Sequence, residues 1–230
     1  MNVHVLVEGP SELALFEVWS RRFAPDCEVR VYAHQGKGTL PADLDAPPDR
    51  ARRGLLDQLP AKLRAFQTSL SPATDGVLIV LDADNDDPRT LETNITNLAA
   101  RLAPRLRVHV RVAVEETEAF YLGDLRGLKG AYPTANMDLA REYVPDSVCG
   151  TWEYFGRVID DGGGNKVAWA QAMSARLTTK AGRSRSPSFK LLCEAFTLLC
   201  ARVAEAKRKR RPFQHRPAPK SGRRKGRAKA

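Results

Sequence analysis

Five consecutive apolar residues, Val77-Leu78-Ile79-Val80-Leu81, follow Gly76 and stop abruptly at Asp82. A strand without polar alternation must be covered on both faces, as an inner strand of a parallel sheet flanked by helices is. The neighbouring sequence supplies the rest of such a fold. Val3 to Val7 is a short β-branched run ending at Glu8-Gly9, and Pro10-Ser11 then opens a segment with Leu13, Phe16, Trp19 and Phe23 at helical spacing. Val29 to Tyr32 reads as a second strand, followed by the polar loop His34-Gln35-Gly36-Lys37-Gly38 and a Pro- and Asp-rich stretch over 41–49. Leu55, Leu59, Leu63, Phe66 and Leu70 predict a helix of about five turns from Arg50 to Leu70. Pro88 starts another, with Leu91, Ile95, Leu98 and Leu102 on one face. Val108, Val110, Val112 and Val114 then alternate with Arg107, His109, Arg111 and Ala113, the pattern of an edge strand with one wetter face.

This alternation predicts an α/β fold over 1–115, with a central, mostly parallel four-stranded sheet flanked by helices. A mainly helical C-terminal extension over 116–206 follows, packed on that core. Within it, Glu116 to Leu122 and Tyr132 to Tyr143 read as shorter helices, and Asp160-Asp161-Gly162-Gly163-Gly164-Asn165 as a turn. Ser186-Pro187 has the form of an N-cap and first helical position. Phe189, Leu192, Phe196, Leu199 and Val203 continue it as a helix that docks back on the body.

The formal charge of +10 looks like a nucleic-acid signal until it is divided along the chain. Residues 207–230 hold twelve Lys and Arg and no acid, so 25 of the 37 basic residues face all 27 acidic ones in the remainder. The basicity belongs to the tail, which lacks apolar periodicity and is expected to be disordered alone. Its natural role is salt-dependent attraction to phosphate backbones, and a solubilising extension without a partner is the alternative. Cys27, Cys149, Cys193 and Cys200 form no CxxC pair, which fits a reduced, cytoplasmic protein. No signal peptide is recognisable, and no apolar run approaches the length of a membrane span.

Acidic residues gather where two strands end: Glu8 and Glu12 after the first, Asp82, Asp84, Asp86 and Asp87 after the third. In a parallel sheet these ends share an edge, and ligands of α/β folds bind there. Magnesium takes hard oxygen ligands, commonly one or two protein carboxylates with water and phosphate completing the shell. Asp82 and Asp84 are two apart, so both project the same way if the extended conformation persists. Grouping like charges at the end of a buried strand is unfavourable without a cation. Asp86 and Asp87 read equally well as carboxylates of such a metal site or as a helix cap or solvated turn. Glu12 is either a further ligand or a favourable charge at the positive end of a helix. Lys37 lies at the same sheet end, where it could neutralise a phosphate, with a solvated Gly-rich loop as the equal alternative; no P-loop spacing surrounds it. Lys180, Arg183, Arg185 and Lys190 form a second, smaller basic patch.

Glu8-Gly9 at the end of the first strand and Asp82-Ala83-Asp84 at the end of the third resemble the Toprim domain. That domain is the metal-binding α/β module of topoisomerases, bacterial primases and the overcoming-lysogenization-defect nucleases. With Val7 to Glu12, His34 to Gly38, Leu81 to Asp84, Val114-Glu115-Glu116-Thr117-Glu118-Ala119-Phe120-Tyr121-Leu122-Gly123-Asp124 and Ser186 to Phe189, the chain is similar to small standalone bacterial Toprim-like proteins of unassigned function. Members of that family are commonly encoded beside an ATPase, as in phage-defence systems. The resemblance implies a magnesium- or manganese-dependent nuclease acting on DNA or RNA, with a P-loop ATPase partner and no membrane association; homodimerisation is left open. It makes Glu8 the general acid/base and Asp82 with Asp84 the metal ligands, with Glu12, Asp86 and Glu118 as further candidates. His34, Lys37, Lys180, Arg183 and Arg185 are the phosphate-contacting candidates. Glu115, Glu116 and Glu118 read equally as carboxylates at a helix N-terminus. A catalytically silent Toprim module, binding nucleic acid or regulating an ATPase, is the alternative.

Overall fold

The structure is a computed structural model that describes residues 2–114, 116–147 and 150–210, the last nine of these by backbone only. Four strands, β1 (Asn2–Val7), β2 (Glu28–Ala33), β3 (Asp75–Asp82) and β4 (Arg107–Ala113), form one sheet in the order β2-β1-β3-β4. Every pairing is parallel, with Leu6 opposite Ile79 and Leu81 opposite Val112. β3, read as an inner strand from its unbroken apolar run, is inner, and β1 is the other inner strand.

Strand alternation sorts the core into two layers. Val3, Val5, Val7, Leu78 and Val80 face one side, where they pack with Leu15, Phe16 and Trp19 of α1 (Pro10–Phe23) and with the C-terminal helices. Leu6, Val77, Ile79 and Leu81 face the other, against α2 (Leu55–Ser69) and α3 (Pro88–Leu102). The extension over 116–206 thus shares a hydrophobic core with α1 and the sheet. It comprises α4 (Glu118–Gly123), α5 (Leu125–Ala131), α6 (Met137–Glu142), α7 (Thr151–Ile159), α8 (Lys166–Ser174) and α9 (Pro187–Arg210).

Several expectations are met in detail. Ser186 Oγ accepts the Phe189 N–H at 3.1 Å and so caps α9, and Asp87 accepts the Thr90 N–H at 2.8 Å to cap α3. Others are corrected. α2 begins at Leu55 rather than Arg50, because Gly54 is extended and the Asp57 carboxylate accepts its N–H at 3.1 Å, a cap that fixes where the helix starts. β4 is an edge strand, but its basic face is not simply wet: α9 lies on it, and Arg111 Nε donates to the Leu191 carbonyl at 3.1 Å. α9 continues to Arg210, four residues into the segment expected to lack structure, and residues 211–230 lie outside the described residues. Among the described residues, no helix is long and apolar enough to cross a membrane.

Candidate functional site

β1 and β3 lie side by side and end together, which brings Glu8 and Asp82 to one point. Glu8 Oε1 accepts the backbone N–H of Asp82 at 2.8 Å, so the carboxylate of one strand end terminates the backbone of the next. Gly9 follows in an extended conformation as the N-cap of α1. A Cβ on Gly9 would lie 3.2 Å from Glu12 Oε2, so the absent side chain leaves Glu12 room to fold back over the turn. Glu12 is buried and accepts hydrogen bonds from Ser11 Oγ at 2.8 Å and Thr117 Oγ1 at 3.3 Å. Thr117 precedes α4, whose first residue, Glu118, is only 1% exposed. The extension thereby delivers a fourth acid to the sheet edge.

The charge of Glu12 acts on the other three carboxyls. Burial pushes Glu8 up to about 7; the Asp82 N–H opposes this, and the charges of Asp84 and Glu12 add to it. Burial also drives Asp82 well above the ordinary carboxylate range, reinforced in turn by Glu12, Glu8, Glu118 and Glu116. Glu118 is raised to about 7, first by burial; Lys166 works against the rise, while Glu116 and Glu12 add to it. Tyr121, one turn along α4, is pushed up by burial and then by Glu118, Glu12 and Asp82. The nearby ammonium groups are engaged elsewhere. Lys166 Nζ pairs with Glu116 at 2.8 Å, and Lys37 Nζ with Asp86 at 2.6 Å and Asp84 at 3.2 Å. Among the described residues, no Lys, Arg or His forms an ion pair with Glu8, Glu12, Asp82 or Glu118.

The other candidates are placed differently. The extended conformation stops at Asp82: Ala83 is buried, and Asp84 takes a left-handed conformation with φ of +50°. Asp84 therefore does not project alongside Asp82, and with Asp86 it forms an exposed turn closed by Lys37, whose Nζ also donates to the Ala83 carbonyl at 2.8 Å. Burial disfavours the charged form of Lys37, but Asp86 and Asp84 outweigh it and the net shift is upward. Lys37 is carried there by a pinned loop: the Gly36 N–H donates to the Glu8 carbonyl at 2.9 Å, and the Gly36 and Lys37 carbonyls accept the Leu55 and Leu56 N–H groups. His34 is anchored through Nδ1 to the Val7 carbonyl at 2.7 Å and through Nε2 to Lys62 Nζ at 2.8 Å. Burial lowers the pKa of both His34 and Lys62. Lys180, Arg183 and Arg185 lie beyond the far end of α4 rather than at the acidic edge. Glu115 lies outside the described residues. Sequence reasoning missed Lys166 and Thr117; neither carries a signal, since each matters only through the packing of the extension.

Among the described residues, no group of three or more His, Cys, Asp or Glu is already arranged to hold a metal ion. The donor set nevertheless fits a hard divalent cation. It consists of carboxylate oxygens gathered at one sheet edge without an ion-pair partner among the described residues, with Glu8, Asp82 and Glu118 held above the ordinary carboxylate range, and two protein carboxylates suffice for magnesium when water and phosphate fill the other positions. No protein-family model matches the chain, and neither curated proteins nor solved structures provide a match.

Proposed function

We propose that this chain is a cytoplasmic, Toprim-like nuclease that hydrolyses phosphodiester bonds of DNA or RNA with magnesium or manganese. The observation that carries the reading is the meeting of Glu8 and Asp82, with Glu12 and Glu118 adding charge at the same sheet edge. Asp82 and Glu12 are the pair proposed to hold the cation: Glu12 folds back over the Gly9 turn that follows Glu8, and its charge acts on Asp82. Asp84 and Asp86 join only if Lys37 releases them. A bound divalent ion supplies Lewis acidity to the phosphate and lowers the pKa of attacking water.

Glu8 does the proton work. A carboxyl poised at about 7 is half-ionised near neutrality, where it can accept a proton from water and return it to the leaving oxygen. Its hydrogen bond to the Asp82 N–H fixes one carboxylate oxygen and leaves the other for this transfer. Glu118, also near 7, holds a second exchangeable charge at the edge and balances the cation when ionised. By the resemblance, the chain works in phage defence beside a P-loop ATPase.

One observation favours a second reading, a catalytically silent module that binds nucleic acid or regulates such an ATPase: no three acids here are preassembled around a common point among the described residues. Incubation of the full chain with plasmid and with RNA, in magnesium or manganese and with chelator as control, separates the two. Metal-dependent cleavage that disappears in Glu8→Gln supports the nuclease; retained binding without cleavage in any metal supports the silent module.

A further inference from the structure

A cavity of about 670 Å³ opens at the other end of α4, between the start of α5, the end of α8 and the segment 178–185. Arg22, Arg126, Arg176, Lys180, Arg183 and Arg185 line it against a single acid, Asp124. That acid is committed to the wall: it is buried and accepts the N–H groups of Gly127 at 3.0 Å and Thr178 at 2.6 Å. Arg22 donates to the carbonyls of Ser174 at 2.8 Å and Leu177 at 2.9 Å, and Arg185 to those of Ala140, Arg141 and Tyr143. Neutral carbonyls hold these two guanidinium groups in place without cancelling their charge. Arg126, Arg176, Lys180 and Arg183 are exposed, and none of the six cations forms an ion pair among the described residues.

We propose that this cavity is a phosphate-binding site for a ligand carrying at least two negative charges. Six like charges around one concavity repel unless an anion sits among them, and a concave wall focuses their field on that anion. The guanidinium fork matches phosphate oxygens in pairs. The volume falls in the range of small-ligand sites, and no Phe, Tyr or Trp lines the walls, so the phosphates are gripped rather than a base stacked. The site is separate from the acidic edge. Glu118 begins α4 and Gly123 ends it, with the Gly123 carbonyl accepting the Arg185 N–H at 2.9 Å. Five helical rises from Glu118 to Gly123 place the two ends about 7.5 Å apart along that axis. The phosphates belong either to a free polyphosphate, such as a nucleoside triphosphate, or to the phosphorylated end of a nucleic-acid strand. The proposal does not rest on the nuclease reading.

The test uses the full chain with chelator present, so that neither metal nor cleavage enters. Tripolyphosphate binding is measured by calorimetry and binding of a 5′-phosphorylated octanucleotide by fluorescence anisotropy. The parent is compared with the double variant Arg126→Glu/Arg176→Glu and with Arg89→Glu/Arg101→Glu, which makes the same charge change on the exposed surface of α3. Loss of two charge-assisted contacts predicts at least about tenfold weaker tripolyphosphate binding in the cavity variant and less than about twofold in the control. If the octanucleotide follows the same pattern and competes with tripolyphosphate, a strand end supplies the phosphates, and its salt-dependence slope falls by about 1.4 in the cavity variant. If only tripolyphosphate follows it, the ligand is a free polyphosphate. Equal losses in the two variants, or tripolyphosphate binding unchanged in the cavity variant, overturn the proposal. Circular dichroism melts verify that both variants remain folded.

Discussion

Glu8 Oε1 and the backbone N–H of Asp82 meet at 2.8 Å, although 74 residues separate them in the chain. One strand's terminal acid thus ends the neighbouring strand's ladder, and the hydrogen bond opposes the rise in pKa that burial imposes on Glu8. Position and protonation of the proposed proton carrier therefore depend on the same contact.

Glu8→Gln separates the two roles. The amide oxygen can still accept the Asp82 N–H, so the melting temperature should stay within a few degrees of the parent, while proton transfer is lost. Cleavage should fall by about 10²- to 10⁴-fold, the usual contribution of a general acid/base. In the parent, the rate at saturating metal should rise with pH through an inflection at or below about 7, because a bound cation favours the ionised carboxylate, and then level. A pH–rate profile without that inflection, or a Gln variant that cuts at the parental rate, removes Glu8 from the mechanism.

Glu118 offers a stability signature that needs no substrate. Its folded-state pKa of about 7 lies above the ordinary value of 4.5, so between these pH values the native state binds more protons than the unfolded chain. Stability from this group is complete below about pH 4.5 and is lost as pH rises through 7. The loss is on the order of 3 kcal/mol for the 2.5-unit difference. Denaturant melts at pH 5 and pH 8 should therefore show a smaller decline in Glu118→Gln than in the parent. Equal declines would mean that Glu118 titrates normally.

The sheet was legible because its signals are local. Val77 to Leu81 could only be an inner strand, and the β-branched run of β1 and the caps at Asp87 and Ser186 carry their geometry in adjacent residues. The acidic edge was legible in part. Glu8 and Asp82 sit at strand ends, and a parallel sheet aligns strand ends. The direction of Asp84 was not legible, because the sequence does not announce a left-handed residue held by a lysine 47 positions earlier. The helices α7 and α8 went unseen: α8 packs on α1 through a contact far away in the chain, and neither helix carries a long apolar period. The basic cavity was glimpsed only as Lys180, Arg183 and Arg185; Arg22, Arg126 and Arg176 reach it from separate elements.

The loop that carries Lys37 depends on two glycines in contact. A Cβ on Gly54 would fall 2.5 Å from Gly38 Cα and 2.6 Å from its nitrogen, both backbone atoms that cannot swing aside. Gly54→Ala should cost about 1–3 kcal/mol, as overpacking does. Gly162→Ala, with open space around the new methyl group, should cost little by comparison. Chemical denaturation of the two variants measures the difference, and equal effects would mean that this contact does not hold the loop.

The central claim is that carboxylates from separate strand ends and helices grip one divalent cation. Calorimetric titration of the full chain with magnesium at pH 8, where Glu8 and Glu118 are largely ionised, tests it most directly. The account predicts saturable binding in the parent, loss of that binding in Asp82→Asn, and only partial weakening in Asp84→Asn, whose side chain is paired with Lys37. Absence of binding in the parent, or undiminished binding in Asp82→Asn, would contradict it.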